Sequence, residues 1–454
     1  MKVAAIILAA GKGTRMKSNL VKVMHKLGEK PLIFWPVNAA KNVGAAPIIV
    51  VSGHQSEKVK EFFSGDEVLL FAEQKELLGT GDAVLSALPQ LSGFQGNVLI
   101  LCGDVPLIRP ETLRDMLSSH NNSGATLTVL TSYQEAPFGY GRVVKGDNAE
   151  IVKIVEERDA TDEERKIKEV NSGIYCVAAD FLIEAVKKLD NNNAQGEYYL
   201  TDIVSKAVEK NLKCAAFPAK DPDEVMGIND RVQLAKAGAV LCNRINTKYM
   251  LEGVTMIDPL TTYIEDGIII GKDTIIYPNT CISGDSTIGE NCIIEAGVTI
   301  CRSSIGDNVT VKAGTIISES KVGNNTSLGP MAHLRPGTVL GSNVKIGNFV
   351  ETKKTVMGDG SKASHLTYLG DAEIGKDVNI GCGTITCNYD GINKHKTVIQ
   401  DRVFVGSDVQ FVAPVEIGEN ALIAAGTTVT ENVPPDALAI ARTPQVNKEG
   451  WRKK

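Results

Sequence analysis

The stretch IGKDTIIYPNTCISGDSTIGENCIIEAGVTI, residues 270–300, decides the architecture of half the chain. Ile270, Ile276, Ile282, Ile288, Ile294 and Ile300 recur every six residues without a miss. No α-helix makes that period, whereas a solenoid of short flat strands and tight turns does. The aliphatic side chain points into a narrow prism and small residues take the corners. After a one-residue slip the column continues through Ile305, Val311 and Ile317, and after another through Val322, Leu328, Leu334, Leu340 and Ile346. It returns at Ile399, Val405, Phe411, Ile417, Ile423 and Val429. Aromatic residues are only 5% of the chain, as a prism packed with Ile, Val and Leu requires. The expected fold is a parallel β-helix. Spacing alone does not fix its hand, and the general crossover preference favours right-handed coils.

One segment departs from the rhythm. Continuing six-residue steps from Ile346 reaches Thr352, Gly358 and Ser364, poor core fillers around the sequence SKASHLTYLG, residues 361–370. A local failure of sequence logic marks a candidate site. Arg335, Glu351, Lys353, Lys354, His365 and Tyr368 stand in or beside it. Arg335 and Lys353 can clamp a phosphate, His365 can take a proton from an attacking amine, and Tyr368 offers a hydroxyl. A lone histidine is ordinarily a polar residue on an exposed face; here the cations and the lost aliphatics favour chemistry. The coil resumes at Ile374-Gly375 and Ile380-Gly381. CNYDGINKHK, residues 387–396, then reads as an extruded loop held from outside its own rung, most simply by another subunit.

Up to about residue 228 the periods differ. VAAIILAAG, APIIVVSG, NVLILCGD and ATLTVLTS are continuous apolar runs alternating with helical patterns such as RPETLRDMLSSH. That alternation predicts a mostly parallel sheet covered on both faces, with ligands at the carboxyl ends of its strands. LAAGKGTRM, residues 8–16, follows the first strand: Gly11 and Gly13 let the backbone approach an anion, and Lys12, Arg15 and Lys22 add charge. It is neither a P-loop nor a dinucleotide fingerprint, because GK[ST] and the third glycine are absent. Asp104 in LCGDVPL, just past a buried strand, suits Mg²⁺, although an Asp opening a turn before Pro106 is the plainer alternative. Residues 229–253 read as one linker helix docking one half on the other, capped by Asn229 or Asp230, striped with Leu234, Ala237, Leu241 and Ile245, and ended by Gly253. The expected domains are 1–231, the linker 232–252, and 253–454.

Net charge of −6 argues against a nucleic-acid partner, and no apolar stretch approaches membrane-spanning length. The nine cysteines are scattered with no C-x-x-C pair, which predicts reduced thiols in a cytoplasmic protein. MKVAAIILAAG runs straight into GKGTR, so it reads as a buried strand and not a leader.

LAAGKGTRM, LGTGDA, CGDVPLI, FGYGRVV, IVEERDAT, VNSGIY and MGIND, in that order, resemble the sugar-nucleotide pyrophosphorylase family. SKASHLTYLGDAEIG and GTITCNYDG extend the likeness to the bifunctional N-acetylglucosamine-1-phosphate uridylyltransferase/glucosamine-1-phosphate acetyltransferase family over nearly the whole length. The resemblance implies a Rossmann-like nucleotidyltransferase domain followed by a left-handed β-helix that assembles as a homotrimer. It implies that Leu8, Ala9, Ala10, Gly11, Lys22, Gln74, Gly79, Thr80, Cys102, Gly103 and Asp104 surround UTP. Asp104 and Asn229 would hold Mg²⁺, Arg15 and Lys22 would neutralise the triphosphate, and Gly141, Glu156 and Asn171 would hold N-acetylglucosamine. In the second half His365 matches the general base. Arg335, Lys353, Tyr368 and Asn379 match the amino-sugar phosphate site; Cys382, Asn388, Tyr389, Ser407, Ala425 and Arg442 match the acetyl-CoA site. The implied product, UDP-N-acetylglucosamine, is a precursor of peptidoglycan and, in some bacteria, lipopolysaccharide.

Three positions depart from the family pattern. Val21 stands where Pro is common, Asp82 where His is common, and Cys382 where Ala is common. Cys382 has no paired base and reads as an incidental thiol. Asp82 brings negative charge to the nucleotide side. Two other readings are a one-reaction pyrophosphorylase with a passive β-helix and a non-catalytic protein keeping both folds. The first should lack His365 and the CNYDG loop; the second should lack Asp104, Arg15 and Lys22.

Overall fold

The computed structural model describes residues 2–11, 13–53, 56–147 and 150–453, with the side chain of Lys453 excepted. Lys12 lies outside the described residues. The chain forms two compact units, residues 1–241 and 242–454.

The first unit is built on a sheet with strands β1 (Val3–Ala9), β2 (Ile48–Ser52), β3 (Leu69–Glu73), β4 (Asn97–Cys102), β5 (Leu127–Tyr133), β6 (Arg142–Lys145), β7 (Ile151–Val155), β8 (Glu169–Ala178) and β9 (Cys214–Pro218). Its spatial order is β9-β5-β8-β4-β1-β2-β3, with the β6–β7 pair joined to β8. All neighbours on the main path are parallel except β8, which runs antiparallel to β4 and β5. The apolar runs are continuous because both faces are buried. Ala4, Ile6, Val98 and Ile100 enter one core; Ala5, Ile7, Leu99 and Leu101 enter the other. In such a sheet the crevice for a ligand lies outside the carboxyl ends of the strands.

The helix expected near residues 229–253 spans Arg231–Leu251. Asp230 caps it, its Oδ1 accepting from Gln233 N at 2.8 Å, while Gln233 Oε1 accepts from Asn229 N at 2.6 Å. Gly253 follows with φ 98°.

The second unit is a triangular prism of three parallel sheets containing 11, 10 and 9 strands. Ile276 pairs with Ile294 on the first face, Ile282 with Ile300 on the second, and Ile270 with Ile288 on the third. The six-residue column is therefore three columns, one per face. Corner residues Asp273, Asn279, Asn291, Asn308, Asn325 and Asn343 have φ between 56° and 61°. Asn and Asp tolerate that left-handed conformation better than other residues with a side chain.

The expected break in the wall is not present. The inward residues run Ile346, Thr352, Met357, Ala363, Leu369, Ile374, all 3% exposed or less. Thr352 is inward as expected, but Gly358 and Ser364 are not, because the step from Thr352 to Met357 is five residues. The same shortening occurs between Ile300 and Ile305, and between Ile317 and Val322. Each short corner carries a residue with φ near 46°, namely Arg302, Glu319 and Lys354. What distinguishes the segment is filler size: flexible Met357 and small Thr352 and Ala363 replace branched aliphatics.

Candidate active sites

At the carboxyl edge of the first sheet, the turn after β1 closes on Lys22. Gly13 has φ 63°, and a Cβ there would lie 2.5 Å from Lys22 Cβ, so only glycine lets the two segments meet. Lys22 Nζ donates to Asp104 and, at 3.0 Å, to Asn229 Oδ1; Arg15 Nη2 donates to the same Oδ1 at 2.9 Å. Main-chain bonds hold this cluster: Gly103 N donates to Leu8 O at 2.8 Å and Ile228 N to Asp104 O at 2.9 Å. Lys22, Arg15, Asp104 and Asn229, spread over more than 200 residues of sequence, are thus brought together as expected. A carboxylate and an amide oxygen already share one cation, the Lys22 ammonium. That pair of hard oxygen donors fits Mg²⁺, which completes its shell with water and phosphate. No group of three or more His, Cys, Asp or Glu placed to hold a metal occurs among the described residues.

Gln74 lies just past β3 and is buried; its side chain bonds Gly79 O. Thr80 Oγ1 accepts from Leu200 N at 3.1 Å. Cys102 is poorly suited to ionise: burial, then Asp104, push its thiol up to about 12. Gly141, Glu156 and Asn171 converge. A Cβ on Gly141 would lie 3.5 Å from Glu156 Oε1 and 3.6 Å from Asn171 Cβ, and Asn171 N donates to Gly141 O at 2.9 Å. Burial raises the Glu156 carboxyl above its usual range, with Asp202 and Asp159 adding repulsion; the Thr201 hydroxyl nearby opposes the shift, although it forms no hydrogen bond of standard geometry among the described residues. Thr201 and Asp202 escaped the sequence reading, since more than 40 residues separate them from Glu156.

Beneath this cluster Arg142, only 2% exposed, pairs its Nη2 with Glu157 Oε2 at 2.7 Å and donates Nη1 to Tyr140 O. Arg142→Ala leaves Glu157 without that partner and opens a void. Glu157 is 22% exposed and keeps Gly139 N at 3.1 Å, so the expected cost is about 1–3 kcal/mol, chiefly from the void. It should appear as a lower denaturant midpoint, followed by Trp35 fluorescence in a Trp451→Phe background.

In the prism, the registers Lys362↔Asn379, Asn379↔Phe404 and Phe404↔Leu422 put His365, Cys382, Ser407 and Ala425 at equivalent positions on consecutive coils. Asn348 stacks directly on His365 from the coil before. Arg442 extends the series, donating Nη1 to Ala425 O at 2.6 Å. One prism edge therefore carries the expected base and four of the six residues matched to acetyl-CoA. His365 is exposed, and its Nδ1 lies 2.9 Å from Asn348 Oδ1. With that oxygen as acceptor, the neutral ring carries its proton on Nδ1 and presents the Nε2 lone pair outward. Asn348 was missed because its only signal is a separation of one coil.

Arg335, Lys353 and Tyr368 share the second face. Arg335 Nη1 pairs with Glu351 Oε1 at 2.6 Å, and Glu351 is in register with Tyr368. Asn379 lies on the first face. The Lys394 ammonium beside Lys353 pushes the Lys353 pKa down. Lys394 is thus a further cation at this cluster that the sequence reading did not single out.

The loop of residues 387–396 is extruded as expected, and it is tied both within itself and to the coil before it. Asp390 Oδ1 accepts from Ile392 N and Asn393 N at 2.8 and 2.6 Å, and Oδ2 meets His395 Nε2 at 2.6 Å. Asn388 Nδ2 donates to Asp371 Oδ2 at 2.5 Å, and Lys396 pairs with Glu373, both on the preceding coil. Asp371 and Glu373 thus hold the loop from outside its own rung, as expected. Tyr389 stays 60% exposed, its hydroxyl donating to Gly391 O at 2.6 Å.

Comparison with known proteins agrees with both halves. Residues 5–197 match the MobA-like NTP transferase domain family. Residues 246–352 match the LbH, or left-handed β-helix, domain of EIF2B subunit epsilon. Residues 396–431 match the bacterial transferase hexapeptide family. The β-helix is left-handed, against the general crossover preference. The chain is similar to "Bifunctional protein GlmU" of Geotalea uraniireducens, 64% identical over 99% of each chain. It is similar to the same-named protein of Geotalea daltonii at 64%, covering 100% of this chain and 99% of the other. That of Shouchella clausii is 49% identical over 99% of this chain and 98% of its own. Matched end to end at such identity, the chain belongs to the GlmU family of bifunctional proteins.

Proposed function

We propose that the second unit transfers acetyl from acetyl-CoA to glucosamine-1-phosphate, and that the first couples the product to UTP, giving UDP-N-acetylglucosamine and pyrophosphate. The observation that best supports this reading is the prism edge where His365, Cys382, Ser407 and Ala425 line up. An extended thioester substrate laid along that edge brings its carbonyl to the His365 imidazole, and Arg335 and Lys353 supply cations on the adjoining second face.

In acetyl transfer the sugar amine attacks the thioester carbonyl while His365 Nε2 accepts its proton. The C–N bond forms, the C–S bond breaks, and the proton passes to the departing thiolate. Arg335 and Lys353 bind the sugar phosphate, Tyr368 and Asn379 orient the ring, and Asn388, Tyr389 and Arg442 bind CoA. The site is completed at a seam between subunits of a homotrimer in the cytoplasm.

In uridylyl transfer a phosphate oxygen of the sugar phosphate attacks the α-phosphorus of UTP, and the bond to pyrophosphate breaks. Asp104 and Asn229 hold Mg²⁺, which when bound neutralises charge on the triphosphate. Arg15 and Lys22, whose head groups meet at Asn229 Oδ1, bind the phosphates. Gly141, Glu156 and Asn171 fix the sugar, so the work is positioning and charge neutralisation.

The test is product analysis by mass spectrometry with glucosamine-1-phosphate, acetyl-CoA, UTP and Mg²⁺. UDP-N-acetylglucosamine should require all four. Equal acetylation of glucosamine lacking its phosphate would remove the roles given to Arg335 and Lys353.

A further inference from the structure

Asp82, where the family commonly has His, is used by no step above. It sits in the first turn of the helix Thr80–Ala87, and its Oδ2 accepts from Gln74 Nε2 at 2.8 Å. The same Nε2 donates to Gly79 O at 3.0 Å. An amide nitrogen has two N–H groups, and both are engaged by oxygens that only accept. Turning the amide over would set Gln74 Oε1 against a carboxylate and a carbonyl. The side chain is therefore locked in one sense. Gln74 is 4% exposed, and its Oε1 accepts no hydrogen bond among the described residues. Gln74 follows β3 directly, at the carboxyl edge of the sheet, so with both N–H groups engaged its Oε1 is the part of the amide left to meet a ligand donor.

We propose that Asp82 is a positioning residue for nucleobase choice: by holding the Gln74 amide it presents Oε1 as a fixed acceptor, which selects a pyrimidine with N–H at ring position 3. Uracil carries that N–H. Cytosine offers a lone pair at the same place, so two acceptors would face each other, and a site built for a donor rejects the analogue lacking it. The inference rests on the reading that Gln74 lies against the base of the nucleotide.

The experiment compares kcat/KM for UTP and CTP, with N-acetylglucosamine-1-phosphate and Mg²⁺, in the full chain and four variants. Asp82→Leu and the smaller Asp82→Ala remove the carboxylate that opposes the turned amide and leave only Gly79 O against it, so the amide can turn and donate to cytosine; each should lower the UTP/CTP ratio about tenfold. Asp82→Asn keeps a carbonyl acceptor for Gln74 Nε2 and should hold the ratio within about twofold, as a rescue by geometry without charge. Gln74→Ala should lower both the UTP rate and the ratio. Acetyl transfer by each preparation reports an intact chain. An unchanged ratio in Asp82→Ala and Asp82→Leu, with the ratio lost in Gln74→Ala, would overturn the role of Asp82 and keep Gln74 at the base. A ratio lost in Asp82→Asn would also overturn it, because charge and not orientation would then be responsible. An unaffected Gln74→Ala would instead overturn the underlying placement of the base.

Discussion

His365→Ala is expected to lower kcat for acetyl transfer by about 10²–10⁴-fold, the range general-base catalysis supplies. Uridylyl transfer by the same preparation should stay within about twofold, since the two clusters lie in separate compact units. A structural histidine would behave otherwise. His365 is exposed, and its side chain meets Asn348 without filling the core, so truncation leaves the column through Ala363 and Leu369 intact. Thermal unfolding should accordingly move little. Asn348→Ala gives a graded companion: the imidazole remains but loses the acceptor that selects its Nδ1–H tautomer. Acetyl transfer should fall less than in His365→Ala, by about tenfold, with a displaced pH–rate profile and an unchanged KM for acetyl-CoA. Full acetyl transfer by His365→Ala would end the assignment of the base.

Where the sequence was readable, one short-range rule governed the structure. Six-residue spacing from Ile270 to Ile300 shows the prism because the coils there spend the same number of residues per face. Counting fails at corners, where a turn near φ 46° at Arg302, Glu319 or Lys354 takes one residue fewer. That is why stepping from Ile346 landed on Gly358 beside the true inward residue, Met357. His365 drew notice for a reason that proved incorrect: the wall around it is continuous, and its neighbours across coils make the site. Contacts such as His365–Asn348 are vertical, 17 residues apart, and no local pattern announces them. The Gln74–Asp82 bond and the approach of Thr201 to Glu156 are of the same kind, set by how strand ends meet at the edge of the sheet. Residue types at strand ends revealed the chemistry; orientation came only with the fold.

Asp104→Ala should abolish uridylyl transfer, by at least about 10²-fold in kcat/KM, while acetyl transfer continues. The argument is electrostatic. Four negative charges on a nucleoside triphosphate meet Arg15 and Lys22, and a carboxylate in their midst is unfavourable for the nucleotide unless it recruits a cation of its own. A bland role for Asp104, shaping the turn before Pro106, is carried by its main chain: Asp104 O accepts from Ile228 N at 2.9 Å, a bond that alanine keeps. Alanine therefore removes the metal ligand and leaves the turn. Lys22 retains Asn229 as a partner at 3.0 Å, so the cation is not stranded. Asp104→Asn separates charge from donor geometry: it keeps an oxygen donor but not the charge, and should need a higher Mg²⁺ concentration for half-maximal rate. Titrating Mg²⁺ against direct binding of the ion and against rate distinguishes this from a folding defect. If Asp104→Ala binds the ion and turns over UTP like the parent, the metal lies elsewhere and Asp104 is only the cap of a turn.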